Sequence, residues 1–448
     1  MQRVFSSSLV AAAVLILLFT VGAWSADNSQ NPGQQQSKIS SLDRERAQHM
    51  FDNVATDIRK HYYDPQFHGV DWDANVREYK ARIDKAATMN MALSHIAAAL
   101  AVLNDSHTFF VPPQHAYRHD YGWRMQMVGE HCYVVQVRPR SDAQSKAVKP
   151  GDEILTIDGF APDRSNLWKM EYVYNLLRPQ AAVRLNLRDP AGATRQLDVA
   201  ALIKMGPVVK DVTGNGVWDL VRAEEDEEHA SRVRYADIGK QLLMAKLPSF
   251  GGDEEIDRLL SEARKHEQWI LDLRGNPGGY EDALKLLIGG IFEHDVKIGD
   301  RVGREIKHEE LLAKHSHHPF NGKIIVLIDS RSASAAELFA RVVQIEKRGL
   351  VLGDRSSGSV MEARSYSYHL GSDTIVPYGA SITHGDLLMA DGKSLEHGGV
   401  TPDEIVLPTA ADMGSGRDPV LARAAEILGA KLTPEDAGAL FPYEWRPE

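Results

Sequence analysis

The stretch 329-DSRSASAAE-337 sets three serines, Ser330, Ser332 and Ser334, between the apolar run 323-KIIVLID-329 and the helix-like run 335-AAELFARVVQIEKRG-349. A strand ends there and a helix begins, and a helix cap needs only one hydroxyl. Ser332 suits the cap, with Glu337 assisting further in. That leaves Ser334 in the first helical turn, where the positive end of the helix dipole favours a developing alkoxide or oxyanion. The flanking alanines leave room for a substrate backbone, and the N–H of Ala335 can point at a reacting carbonyl oxygen. A second turn of the same kind, 274-RGNPGGY-280, follows the strand-like 268-QWILDLRG-275. Its paired glycines allow unusual φ values and close backbone approach, so their N–H groups can complete an oxyanion hole. A tight strand-to-helix turn and a phosphate cradle are the other readings. The run lacks the G-x-x-x-x-G-K-[ST] spacing of a nucleotide loop.

The elements that must position these turns follow from the pattern around them. From Tyr235 onward, strand, turn and helix alternate, with further strands at 350-LVLGD-354 and 402-PDEIVLP-408. That order predicts a mostly parallel core sheet with crossover helices, whose ligands gather at the carboxyl ends of the strands. Residues 41–113 carry helical spacing ended by 104-NDSHTFFVPP-113, and residues 114–203 alternate short strands with turns. The core spans 204–416, opening with 213-TGNG-216 and the acidic loop 224-EEDEE-228, and 417–448 reads as a helix and a tail. Cys132, within 132-CYVVQV-137, fits a buried strand position.

Residues 1–26 are not fold. Arg3 gives a positive start, Leu9 to Val21 is apolar but short for a membrane span, and Ala23-Trp24-Ser25 offers a cleavage site. The expectation is a signal peptide and export to the periplasm or the medium, with 27–40 as a flexible linker and no membrane span after cleavage. With one cysteine among 448 residues, the exported fold must be held by its core. A net charge of −11 with no basic stripe excludes nucleic acid as a main partner.

Two resemblances refine this. The run 138-RPRSDAQSKAVKPGDEILTIDGFAP-162 resembles the core of a PDZ domain. The resemblance implies that the preceding 122-GWRM-125, Gly122, Trp123, Arg124 and Met125, forms a loop capturing a peptide C-terminus. The pair LDLRGNPGG and SRSASAAE resembles the signature of the carboxyl-terminal processing and tricorn-type serine peptidases. This implies a multidomain α/β protein: an N-terminal helical domain, a PDZ-like β-rich module and an α/β peptidase core of the ClpP/crotonase type. It places the nucleophile on Ser334 and the oxyanion hole on the N–H groups of Ala335 and Gly278.

The departure from that family is equally informative. The processing branch uses a Ser/Lys dyad, with its lysine about twenty-five residues after the serine. Here that loop reads 353-GDRSSGSVMEA-363, with Ser359 at the corresponding position and no lysine between Lys347 and Lys393. A serine hydroxyl still needs a base. The tricorn-type branch uses histidine, and 105-DSHT-108 with 394-SLEHGGVTPDEIV-406 resembles its pattern. The resemblance implies a relay Ser334, His107, Ser106, Glu396, with His107 as general base. His384, His397 and Lys393 are the rival bases, and 315-HSHH-318 lacks the partners of a metal site. The expected protein is an exported serine endopeptidase without cofactor or metal, acting on polypeptides through an acyl-enzyme. Its alternative is an inactive peptide- or lipid-binding protein on the same scaffold.

Overall fold

The computed structural model describes residues 38–114, 117–205, 232–239, 241–306, 309–371, 376–443 and 445. The expected signal segment, the stretch 213-TGNG-216 and the acidic run 224–228 lie outside these residues.

The α/β core is built on a six-stranded sheet. Its order is Glu404–Ile405, Leu350–Gly353, Lys323–Ile328, Gln268–Asp272, Leu242–Lys246, Arg234–Ile238. All neighbours are parallel except the last pair. The central strands are apolar runs because both faces are covered. Helices Asp253–Ala263, Glu281–Gly289 and Ala335–Ile345 bury Leu259, Leu287 and Phe339 on one face. The segment after 416 is more than a helix and a tail. It supplies two helices, Pro419–Ile427 and Pro434–Leu440, which cover the other face by packing Leu421 and Ala425 on Ile270 and Leu327.

A second, mostly antiparallel sheet lies beside the first. Its long strand Val376–Met389 pairs with Glu362–Leu370, Val296–Val302 and Phe109–Val111. The last of these comes from the N-terminal region. Phe109 stands opposite Ser381 and Val111 opposite Gly379. The helices Ser41–His61, Trp72–Asp84 and Met89–Ala101 are capped by the side chains of Ser40, Asp71 and Thr88. They share one apolar cluster with Phe110, Tyr378, Ala380 and Ile382. The N-terminal helices are therefore part of the same body as the second sheet, joined to it by backbone pairing and a common core.

The β-rich module is organised differently. Five strands, Trp123–Val128, His131–Val137, Glu153–Ile157, Ala182–Arg188 and Thr194–Ala200, form an antiparallel sheet in chain order. They enclose a separate core around Val134, Ile157, Leu185 and Leu187. Cys132 is buried in it, and burial raises its thiol pKa, so it is packing rather than reactive. A helix, Leu167–Glu171, continues as a π-helical turn over Tyr172–Leu177.

Candidate active site

Ser334 stands at the N-cap of the helix Ala335–Ile345 with φ 52° and ψ −121°. Positive φ in a serine is strained, and such strain persists only where the surroundings over-determine it. Here they do. Asp329 Oδ1 accepts from the N–H groups of Gly275 (2.9 Å), Arg331 (3.0 Å) and Ser332 (3.1 Å). Asn276 O accepts from Ala333 N–H at 2.9 Å. The two turns singled out in the sequence are thus knitted into one unit.

The cap assignment requires a correction. Ser332 is fully buried and donates its hydroxyl to Leu273 O at 2.8 Å, so it ties the two turns together. Ser334 itself occupies the cap position, and Glu337 accepts from its N–H at 3.1 Å.

Gly278 abuts the serine. A Cβ added there would lie 2.6 Å from Ser334 Cβ and 3.0 Å from Ala335 N, and φ is +101°, so only glycine fits. Its N–H donates to Asn276 Oδ1 at 2.8 Å. The N–H of Ala335, at the first helical position, donates no hydrogen bond among the described residues.

The second group comes from the far end of the chain. His107 Nδ1 lies 2.6 Å from Ser106 Oγ, and Ser106 Oγ donates to Glu396 Oε2 at 2.9 Å. Glu396 also accepts from the N–H groups of Ser106 (2.8 Å) and Val360 (3.1 Å). Burial pushes its pKa up to about 8, against the opposing pull of those hydrogen bonds. Asp105 holds the turn by accepting from Tyr62 Oη, Thr383 Oγ1 and the N–H groups of His107 and Thr108.

One short segment joins the two groups. Ser359 O accepts from Ser334 N–H at 2.9 Å, and the next residue, Val360, donates to Glu396. Ser359 occupies the place where the processing branch carries lysine, and its hydroxyl pairs with that of Ser357 at 2.9 Å. Glu337 anchors this segment. It is fully buried and accepts from Ser356 Oγ (2.6 Å), Gly358 N–H (2.7 Å) and Ser359 N–H (2.9 Å) as well as from Ser334. Sequence reasoning assigned Glu337 only to capping. Its i+3 spacing from Ser334 was the available signal, but its wider role depends on a loop twenty residues away.

Of the rival bases, His397 borders the same cavity as Ser106 and Ser359, 3.9 Å from Glu396 Oε1, while Lys393 and His384 lie elsewhere. Lys393 is exposed in a hairpin, and His397 is exposed with Nε2 on Asn104 O at 2.9 Å. His384 is half-buried, 3.8 Å from Glu362. In the histidine cluster, His315 pairs with Asp295 at 2.8 Å, and no group of three metal-binding side chains exists among the described residues.

The expected peptide-capturing loop is not a free loop. Trp123, Arg124 and Met125 belong to the edge strand of the module sheet, with Trp123 and Met125 buried. Gly122 N–H is taken by Asp120 Oδ1 at 2.8 Å. The outer edge of that strand faces the turn that carries Ser334. Ser330 Oγ donates to Met127 O at 2.5 Å, Arg331 Nη2 to Met125 O at 2.7 Å, and Gln126 Nε2 to Asp329 Oδ2 at 2.7 Å. Arg331 also pairs with Glu171 at 2.6 Å, and Arg164 of the module with Asp354 at 2.7 Å.

A strained serine on a helix cap, abutted by a glycine turn in an α/β core, is an arrangement suited to a serine nucleophile. Residues 241–406 match the model of peptidase family S41, and residues 43–90 match the Tricorn protease C1 domain. The tail-specific protease of Haemophilus influenzae is 26% identical over 261 residues, covering 55% of this chain and 34% of that protein. Putative tricorn protease homolog 2 of Streptomyces coelicolor is 23% identical over 418 residues, covering 89% of this chain and 33% of that protein. The chain thus spans about a third of the length of both relatives. Among solved structures, mature CPAF complexed with lactacystin shares the fold with a TM-score of 0.61 at 15% identity, over 83% of this chain and 96% of that one.

Proposed function

We propose that the chain is an exported, metal-independent serine endopeptidase that cleaves polypeptides through an acyl-enzyme on Ser334. His107 replaces the missing lysine as general base. The proton count of the relay supports this. An ionised Glu396 only accepts, so Ser106 Oγ spends its one hydrogen on it and must accept from His107 Nδ1–H. The lone pair is then on Nε2, the nitrogen a base uses. Nε2 takes the proton of Ser334 as Oγ attacks the scissile carbonyl, and returns it to the departing amine. Water then enters by the same route and releases the acyl group. Ala335 N–H is ready to receive the oxyanion, and Gly278 N–H joins it by sharing its hydrogen between Asn276 and the new charge. The module recruits substrate tails, and export follows from the apolar leader. Among the described residues no helix is long and apolar enough to cross a membrane.

The observation that carries this reading is the unbroken chain from His107 through Ser106 and Glu396 to the segment holding Ser334. A fluorophosphonate probe tests it. The wild type should label, and Ser334→Ala and His107→Ala should not. Labelling that survives His107→Ala would remove histidine from the mechanism. Absent labelling together with tight peptide or lipid binding would favour a passive binding protein.

A further inference from the structure

A cavity of about 370 Å³ opens beside the relay, with Ser106, Pro277 and Ser359 on one wall and Trp168 and Lys169 on the other. Most charges on its walls are already answered. Arg331 is held by Glu171 and Arg164 by Asp354, while Arg355 faces Glu130 at 3.6 Å. The carboxylate of Asp105 is filled by its own turn and by Tyr62 and Thr383. Lys169 differs. It makes no hydrogen bond or ion pair among the described residues, and its ammonium rests 5.6 Å from the centre of the Trp168 ring. It also borders a small apolar recess beside Phe109 and Phe110, so the group is partly withdrawn from water. Burial lowers its pKa accordingly.

An ammonium that has lost hydration, with Asp163 acting on it only through space and no ion pair formed, is costly, and an arriving anion recovers that cost. We propose that Lys169 is a specificity-determining residue that receives a substrate carboxylate in this cavity. The inference rests on the peptidase reading above and names the chemistry its substrates carry next to the reacting bond. The carboxylate belongs either to an Asp or Glu side chain or to the free C-terminus of the substrate, and the two sources are separable.

Binding to the full chain carrying Ser334→Ala, read by fluorescence anisotropy, tests the inference without turnover. Two matched peptide pairs serve as probes: an internal Asp against Asn, and a free C-terminal acid against its amide. The acidic member of at least one pair should bind about tenfold or more tightly. The discriminating pair identifies the source. Adding Lys169→Met should erase the ratio, Lys169→Arg should keep it, and Lys169→Glu should reverse it. A ratio near one for both pairs, or one that survives Lys169→Met, overturns the inference. Failure of the peptidase reading looks different: the wild type would neither turn over nor form a fluorophosphonate adduct, while the Lys169-dependent binding ratio persisted.

Discussion

The N-terminal helical region and the β-rich module flank the same candidate site but meet it in different proportions of apolar packing and polar contact. The helical region enters through strand Phe109–Val111 and shares an apolar cluster with the peptidase sheet. The module keeps its own core in its sheet, while its helical turn sends Tyr172, Val173 and Leu177 into the helical region's cluster; it meets the turn carrying Ser334 through polar contacts, chiefly Arg331 with Glu171 and Met125 O, with Arg164 pairing Asp354 nearby. Buried apolar packing and a strand ladder hold a part in one place. Discrete polar contacts at a boundary are each costly to leave half-made when partly buried, but they can be exchanged one at a time, unlike a continuous ladder. The first attachment suits a group that must not move, the proposed base. The second suits a part that must give way.

The largest expected effect lies on the fixed side. His107→Ala should lower kcat by roughly ten-thousandfold or more, by analogy with other relay serine hydrolases, while thermal unfolding stays close to wild type. Single-turnover rates and calorimetry check both halves, and a loss below tenfold would show that another group serves as base. Next, Phe110→Ala attacks the seam itself. Phe110 is 0% exposed, and its removal should cost about 3–5 kcal/mol. Calorimetry should show a lower melting temperature, and activity should fall in parallel even though Phe110 touches no reacting group.

A third expectation concerns Glu396. Its pKa is pushed up to about 8 by burial. Below that pH it is protonated, can donate to Ser106, and lets Ser106 donate to His107 Nδ1, which moves the lone pair off Nε2. Peptidase activity should therefore fall about tenfold per pH unit below about 8 and level off above it. A plateau already reached at pH 6 would contradict this. The linked effect on stability has the opposite sign. The folded state holds a proton that the unfolded chain releases near the ordinary value of 4.5, so this contribution is full below pH 4.5 and is lost as pH rises through about 8.

The smallest effect belongs to the module. Glu171→Gln removes the carboxylate facing Arg331 while leaving the nucleophile turn unchanged. Global stability should fall by about 1–3 kcal/mol, because the pair is partly buried. Hydrogen exchange along Trp123–Val128 should nevertheless quicken while that of Phe109–Val111 stays unchanged. Equal quickening in both strands would erase the distinction between the two attachments.

Much of the site was legible in the sequence because its chemistry sits in short runs. DSHT, GNPGG, SASAAE and SLEHGG each carry several contacts within a few residues, and the strands before them are plainly apolar. The second sheet was less accessible. Residues 362–370 alternate in burial, a period of two that marks a strand, but their partner Val376–Met389 also pairs with residues 109–111 far earlier in the chain. Periodicity names a strand and says nothing of such distant partners. The cap was misassigned because Ser332 and Ser334 are equally good hydroxyls. What separates them is the buried Leu273 carbonyl, which no local pattern reveals.

The closed outer edge of the module sheet has a consequence for life among unfolded chains. A bare strand edge is a template onto which any extended polypeptide can zipper. With Ser330 and Arg331 capping the carbonyls of Met127 and Met125, that template is withheld. A peptidase of the kind proposed would thereby be spared from collecting extended segments at random, and only a guest that outcompetes two hydrogen bonds would gain a seat.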